Sequence, residues 1–130
     1  MAHANEDLVR QGYKAFGEGD METLRSLFAP DAVHVAPGNN PVAGEFKGVD
    51  AILGYYGKLF ELSDGTFTAE LETVKVEGDD SVVATHRDKA QRGDKTLDQD
   101  ETLTFTISGG KFTRLVENHS DQAAYDAFWS

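Results

Sequence analysis

The sequence contains no cysteine. That excludes disulfides, thiolate catalysis and cysteine-ligated metal, and it is compatible with any redox compartment. It has no apolar run long enough to cross a bilayer. The opening stretch MAHANEDLVRQ has neither an apolar centre nor a basic run, so no secretion signal is expected and a cytoplasmic protein is the simplest reading. Proline is scarce, with three residues in all, and these lie between Pro30 and Pro41. Basic residues are also few: 12 Lys and Arg stand against 23 Asp and Glu, a formal charge of −11. A polyanionic partner would be repelled by such a surface, so neither nucleic acid nor an anionic membrane is expected. With 130 residues, 39% of them hydrophobic, the chain reads as one domain spanning 1–130 with a single core.

The stretch from Val33 to Leu53 is the centre of the chain. It starts as a strand carrying His34, breaks into the turn-rich Pro37-Gly38-Asn39-Asn40-Pro41, and re-enters a helix. Before it, Asn5 is placed to cap a helix that starts with Glu6 and Asp7. Leu8, Val9, Tyr13, Ala15 and Phe16 recur in that helix at helical spacing. Gly12 inside the pattern points to close approach of another element or of a ligand. Gly17 and Gly19 end the helix, and Asp20 caps a second, short one. Pro30-Asp31 ends that in turn, and a strand follows over Asp31–Ala36, with Ala32, His34 and Ala36 on one face. Gly44–Gly48 reads as a link. A third helix runs from Val49 to Leu62, where Gly54 and Gly57 are expected to admit a close neighbour.

After Asp64-Gly65 the period changes to two. The apolar phase shifts near Thr73, which predicts a bulge. Strands over Ser81–Gln91, Thr96–Ser108 and Lys111–His119 follow, joined by Arg92-Gly93-Asp94-Lys95 and by the hairpin pair Gly109-Gly110. Asp121 caps a closing helix, QAAYDAFW. Helices followed by long antiparallel strands make an α+β fold, with helices laid on the concave face of a curved sheet. Such a cone, lined by aromatics, is the setting for a small, apolar ligand.

Three runs carry a resemblance: AFGEGDMETLRSLFAPDAVHVAPG, AGEFKGVDAILGYY and GGKFTRLVENHSDQAAYDAFW. They resemble the nuclear transport factor two-like superfamily, which includes SnoaL-like cyclases and ketosteroid isomerases. The resemblance implies the cystatin-like cone and a homodimer through the outer sheet face. It also implies that Ala36 stands where ketosteroid isomerases carry their aspartate base, that Gly12 matches their tyrosine, with Tyr13 pointing elsewhere, and that Glu101 falls near their protonated aspartate. The usual isomerase base and tyrosine are therefore not matched. Orientation does carry over: His34 then faces the pocket, as do Leu115, Glu117 and His119 on the last strand and Glu101, Leu103 and Phe105 on the long one.

The candidate catalytic residues are His34, His119, Glu117 and Glu101. His34 can serve as general acid or base, or it can be a half-buried strand histidine bonded to a loop carbonyl. Glu117 and His119 share a strand face, where a carboxylate fixes the tautomer of an imidazole. Glu101 among Leu103 and Phe105 is either a desolvated acid-base group or the partner of Arg87 or Lys89. His86 and Asp88 share one face and Arg87 takes the other; which face looks inward stays open, so both His86 and Arg87 are candidate ligand contacts. Asp121 is a helix cap or a late base. Phe16, Tyr56, Phe60 and Trp129 join Gly12, Leu103, Phe105 and Leu115 as candidate pocket wall. No close-spaced metal motif or phosphate loop is present, so no metal and no cofactor is expected. The reading is acid-base chemistry of an isomerase, cyclase or hydratase type on an apolar carbonyl compound. The alternatives are a non-catalytic ligand binder and, on the outer sheet face, a protein-interaction module.

Overall fold

The computed structural model describes residues 3–130. Helix α1 (Ala4–Glu18) and α2 (Met21–Ser26) are followed by β1 (Phe28–Ala36), the short β2 (Gly44–Lys47) and α3 (Val49–Leu62). Strands β3 (Thr68–Val76), β4 (Ser81–Arg92), β5 (Lys95–Ser108) and β6 (Lys111–His119) precede α4 (Gln122–Trp129). The six strands form one sheet in the order β2-β1-β6-β5-β4-β3. All neighbours are antiparallel except β1 and β6, which run parallel. This is the α+β architecture expected from the change of period.

The helix ends follow local chemistry. Gly19 takes the left-handed conformation at φ 69° and stops α1. Asp20 accepts from the Thr23 N–H and starts α2, and Asp121 accepts from the Ala124 N–H to start α4. At the start of α1 the expected cap is displaced by two residues: His3 accepts from the Asn5 N–H. The Asn5 side chain instead donates to the Asp79 carbonyl.

Strand β1 begins at Phe28, before Pro30-Asp31 rather than after it. Residues 28 to 33 of β1 run against 112 to 114 of β6, so the irregular segment absorbs the proline, which has no N–H to give to the ladder. Gly44–Lys47 is not a link but an edge strand, with Phe46 opposite His34. The predicted irregularity in β3 lies between Leu71 and Thr73. Gly54 and Gly57 face open space and hold no neighbour close.

Alternation on β4, β5 and β6 sends one side chain set inward and leaves Thr102, Thr104, Thr106 and Arg114 on the outer face. Helices α1 and α3 lie on the concave side, α1 against β3 and β4 and α3 against β1 and β2. Gly12 lets α1 settle on the sheet, because a Cβ there would meet the Phe112 ring at 3.2 Å. Ser63 locks the far end of α3. Its hydroxyl donates to the Leu59 carbonyl at 2.8 Å and accepts from the Phe67 N–H at 3.1 Å, and it is fully buried. Ser63→Ala would strand the Phe67 N–H. A loss of about 1–3 kcal/mol is expected in urea unfolding, with an unchanged m-value.

Candidate functional site

Between the sheet and the helices lies a cavity of about 70 Å³. Its walls are mainly apolar: Phe16 from α1, Leu24 from α2, Leu59 from α3, and Phe28, Leu103, Phe105, Phe112 and Leu115 from the sheet. Its polar groups are His34, Tyr13, Tyr55, Tyr56, His86, Glu101, Glu117 and Tyr125. No lysine or arginine lines it.

These polar groups form two parallel chains. In the first, the Tyr56 hydroxyl lies 2.9 Å from His34 Nδ1, and His34 Nε2 lies 2.5 Å from Glu117 Oε2. Tyr55 donates its hydroxyl proton to the same carboxylate oxygen at 2.5 Å. In the second, the Tyr13 hydroxyl lies 2.5 Å from His86 Nδ1, and His86 Nε2 lies 2.9 Å from Asp88 Oδ1. His119 bridges them. Its Nε2 lies 2.9 Å from Glu117 Oε1, while its Nδ1 faces Glu101 Oε1 at 3.5 Å and Asp88 Oδ2 at 3.9 Å.

Register explains the gathering. His86, Glu101 and His119 are direct cross-strand partners on β4, β5 and β6, and Leu103 is opposite Glu117. His34 is opposite Leu115, two residues before Glu117, so a long side chain closes the remaining gap.

Burial sets the ionisation. Glu117 would be raised by burial, but hydrogen bonds from His119 and His34, with the charges of those imidazoles, outweigh this and bring its carboxyl down to about 2. Glu101 goes the other way. Burial first, then the negative charges of Glu117 and Asp88, push its carboxyl well above the ordinary carboxylate range. Burial likewise raises the phenols of Tyr13, Tyr55 and Tyr56, with nearby carboxylates adding to the effect, so all three hold their protons.

The structure brings His34, Glu117 and Glu101 to the cavity wall, together with Gly12, Phe16, Tyr56, His86, Leu103, Phe105 and Leu115. His119 sits behind that wall, its side chain fully covered and stacked on Tyr125 with ring centroids 3.6 Å apart. Three expected wall residues are elsewhere. Arg87 is on the outer face, 3.4 Å from Asp98 and 3.5 Å from Asp100, because β4 turns His86 and Asp88 inward. Trp129 is fully buried against Phe67, Tyr125 and Phe128, in the core that α4 forms with the sheet. Phe60 lies one layer back, packed on Phe16 and Phe67. Asp121 is exposed and serves as the α4 cap.

Tyr13 and Asp88 are the additions, and Tyr55, an aromatic expected in the core or wall, gains a polar role through its bond to Glu117. Tyr13 does point into the cavity, beside Gly12, because α1 presents a wide face to the cone. Asp88 was signalled by its shared parity with His86. No helix among the described residues is long and apolar enough to cross a membrane.

The fold, a curved sheet with helices on its concave face, is that of a SnoaL-like domain. The SnoaL-like domain family matches residues 9–115, and the chain belongs to it. The uncharacterised protein Rv0034 of Mycobacterium tuberculosis is 42% identical over 127 residues, which cover 98% of this chain and 97% of the relative. Among solved structures, Bal32a from a soil-derived mobile gene cassette is 38% identical, with a TM-score of 0.94, covering 98% of this chain and 97% of that one. A Xanthomonas campestris protein of unknown function with a cystatin-like fold is 30% identical, with a TM-score of 0.89, covering 95% and 96%.

Glu117→Gln tests the centre of the cluster. It sets an amide NH₂ among the donors of His34, Tyr55 and His119, at an expected cost of about 3–5 kcal/mol near neutral pH. The depressed carboxyl stabilises the fold above its ordinary value of 4.5, and this stabilisation is lost as pH falls through about 2. The difference in unfolding free energy between wild type and variant is therefore expected to narrow over that window.

Proposed function

We propose that this protein is an acid-base enzyme that moves a proton on a small, uncharged, largely apolar substrate bearing a carbonyl or hydroxyl group. The chemistry is that of an isomerase, cyclase or hydratase. The observation that carries the reading is the Tyr56–His34–Glu117 chain, which ends at the cavity wall. Membership of the SnoaL-like family supports it at the level of fold. The absence of lysine and arginine from the wall argues against carboxylate or phosphate substrates, which would be buried without a counter-charge.

The chain follows the logic of nucleophile–histidine–carboxylate triads. Glu117, ionised and accepting from His34 Nε2–H, fixes the tautomer that leaves Nδ1 as an acceptor for the Tyr56 hydroxyl. A substrate proton passes to the Tyr56 oxygen as the Tyr56 proton passes to His34 Nδ1. The imidazolium formed is paired with the Glu117 carboxylate. Tyr56 never stands as a free phenolate, which its raised pKa would oppose. Reversal returns a proton to a second position on the substrate, completing a shift with no net gain or loss.

One observation favours the second reading, a non-catalytic binder: both His34 nitrogens already have partners within the protein. Tyr56→Phe separates the two, since it removes one oxygen and no bulk. In a screen of cyclic ketones and epoxides, the enzyme reading expects Tyr56→Phe and His34→Ala to lower kcat by about 10²–10⁴-fold. KM for Tyr56→Phe should stay near that of wild type. Tight binding of such compounds by wild type with no turnover would establish the binder instead.

A further inference from the structure

We propose that His86, Asp88, Glu101 and His119 form a binding site for a divalent first-row transition cation, at the wall of the cavity. The site goes beyond the proton relay, which uses none of these residues as a link.

The argument begins with geometry. Donor atoms of His86, Asp88 and Glu101 lie within 4.8 Å of one another, and His119 adjoins them through Glu101 and the second Asp88 oxygen. His86 Nε2 is 2.9 Å from Asp88 Oδ1 and 3.5 Å from Glu101 Oε1. Glu101 Oε1 is 3.5 Å from His119 Nδ1, which is 3.9 Å from Asp88 Oδ2. Ligands bonded at about 2.1 Å to a tetrahedral ion stand about 3.4 Å apart. The four edges straddle that value, but Asp88 meets His86 through Oδ1 and His119 through Oδ2, so side chains must turn for all four residues to reach one ion.

Two atoms of this group have no hydrogen-bond partner despite being buried: Asp88 Oδ2 and His119 Nδ1. The bonds around His119 say why that matters. Glu117, ionised, accepts from His119 Nε2–H, and in the neutral imidazole this leaves a bare lone pair on Nδ1. That lone pair faces carboxylate oxygens of Asp88 and Glu101. With Glu101 ionised, acceptors meet acceptors in a buried place with no lysine or arginine on the cavity wall, and a cation there takes the place of the Glu101 proton.

Both histidines are held as metal-bound histidines are held, with the ring nitrogen away from the ion fixed by a further group. His119 Nε2 is on Glu117 and His86 Nδ1 is on the Tyr13 hydroxyl. Two imidazoles and two carboxylates suit Zn²⁺, and also Mn²⁺ or Fe²⁺. The lack of a close-spaced motif in the sequence does not count against the site, since its donors come from β4, β5 and β6. With an ion on Nε2, His86 keeps its proton on Nδ1 and donates to Tyr13. The Tyr13 hydroxyl proton is then free to point into the cavity.

The test uses the full chain without a histidine tag, stripped with a chelator, then titrated with Zn²⁺ and separately with Co²⁺. The expected result is one Zn²⁺ per chain by equilibrium dialysis and elemental analysis, and the intense visible bands of four-coordinate Co²⁺. Asp88→Asn and His119→Gln, checked for folding by circular dichroism, should abolish stoichiometric binding. Tyr13→Phe should weaken it by about 10- to 100-fold. His3→Ala, at the exposed start of α1, should leave it unchanged. Folded wild type that takes up no ion at micromolar concentration overturns the proposal; a proton shared between Glu101 and Asp88, or on His119 Nδ1, then fills the gap. Binding that survives Asp88→Asn and His119→Gln also overturns it. The wild-type stoichiometry and cobalt spectrum decide the matter even where a variant fails to fold. Neither outcome bears on the Tyr56 relay, which is read out by turnover.

Discussion

The carboxylate of Glu117 is the point on which the site depends. It takes hydrogen bonds from His34 on β1, Tyr55 on α3 and His119 on its own strand. Three elements are therefore pinned to one buried anion, and each donor sets the next. His34 is oriented towards Tyr56, and His119 is oriented towards Asp88 and Glu101. A buried charge with one partner is a liability, because desolvation outweighs a single attraction. With three donors the same charge becomes a template for everything around it.

That template also separates two environments only a few ångströms apart. On the β1 side, donors outnumber acceptors, and the carboxyl is held ionised. On the β4 and β5 side, Asp88 and Glu101 are two carboxyl groups with few donors between them, and Glu101 is pushed towards its neutral form. Opposite behaviour from two glutamates lining one cavity arises from what surrounds them rather than from depth, since both are buried. The phenols of Tyr13 and Tyr56 stand on either side of this divide, each on a histidine that is itself on a carboxylate.

Much of this could be read from residue order. Alternation on β5 and β6 puts Glu101 on one face with Leu103 and Phe105, and Glu117 with Leu115, and the family resemblance turns those faces inward. His34 follows from the family resemblance, which sets Ala36 at the pocket and so turns its parity partner inward. Where alternation gave no apolar marker the reading stayed open: on β4, His86 and Asp88 share a face with Ala84 and Ala90, residues too small to signal burial, so Arg87 stood as an equal candidate. Tyr13 faces inward together with Gly12, against the expectation from the resemblance, because a helix wedged into a cone buries more than a narrow stripe. For Trp129, sequence does not separate pocket wall from core, because an aromatic on a short closing helix carries no sign of which side of the sheet that helix will cross. The bridging role of His119 depends on three strands in register, which no local pattern encodes.

The parallel pairing of β1 with β6 has a consequence for how the chain reaches this state. Residues 28–36 can find their central neighbour only after residues 111–119 exist. During synthesis the helices and the β1–β2 pair emerge first, while the sheet grows as successive hairpins from β3 onwards. Contacts so distant in sequence close late and slowly. The pairing that brings His34 to Glu117 is of this distant kind, so the sheet and this hydrogen-bonded pair are completed together. Until then β1 carries an open edge and a histidine without its carboxylate, so a nascent chain is at its most aggregation-prone just before its last strand arrives.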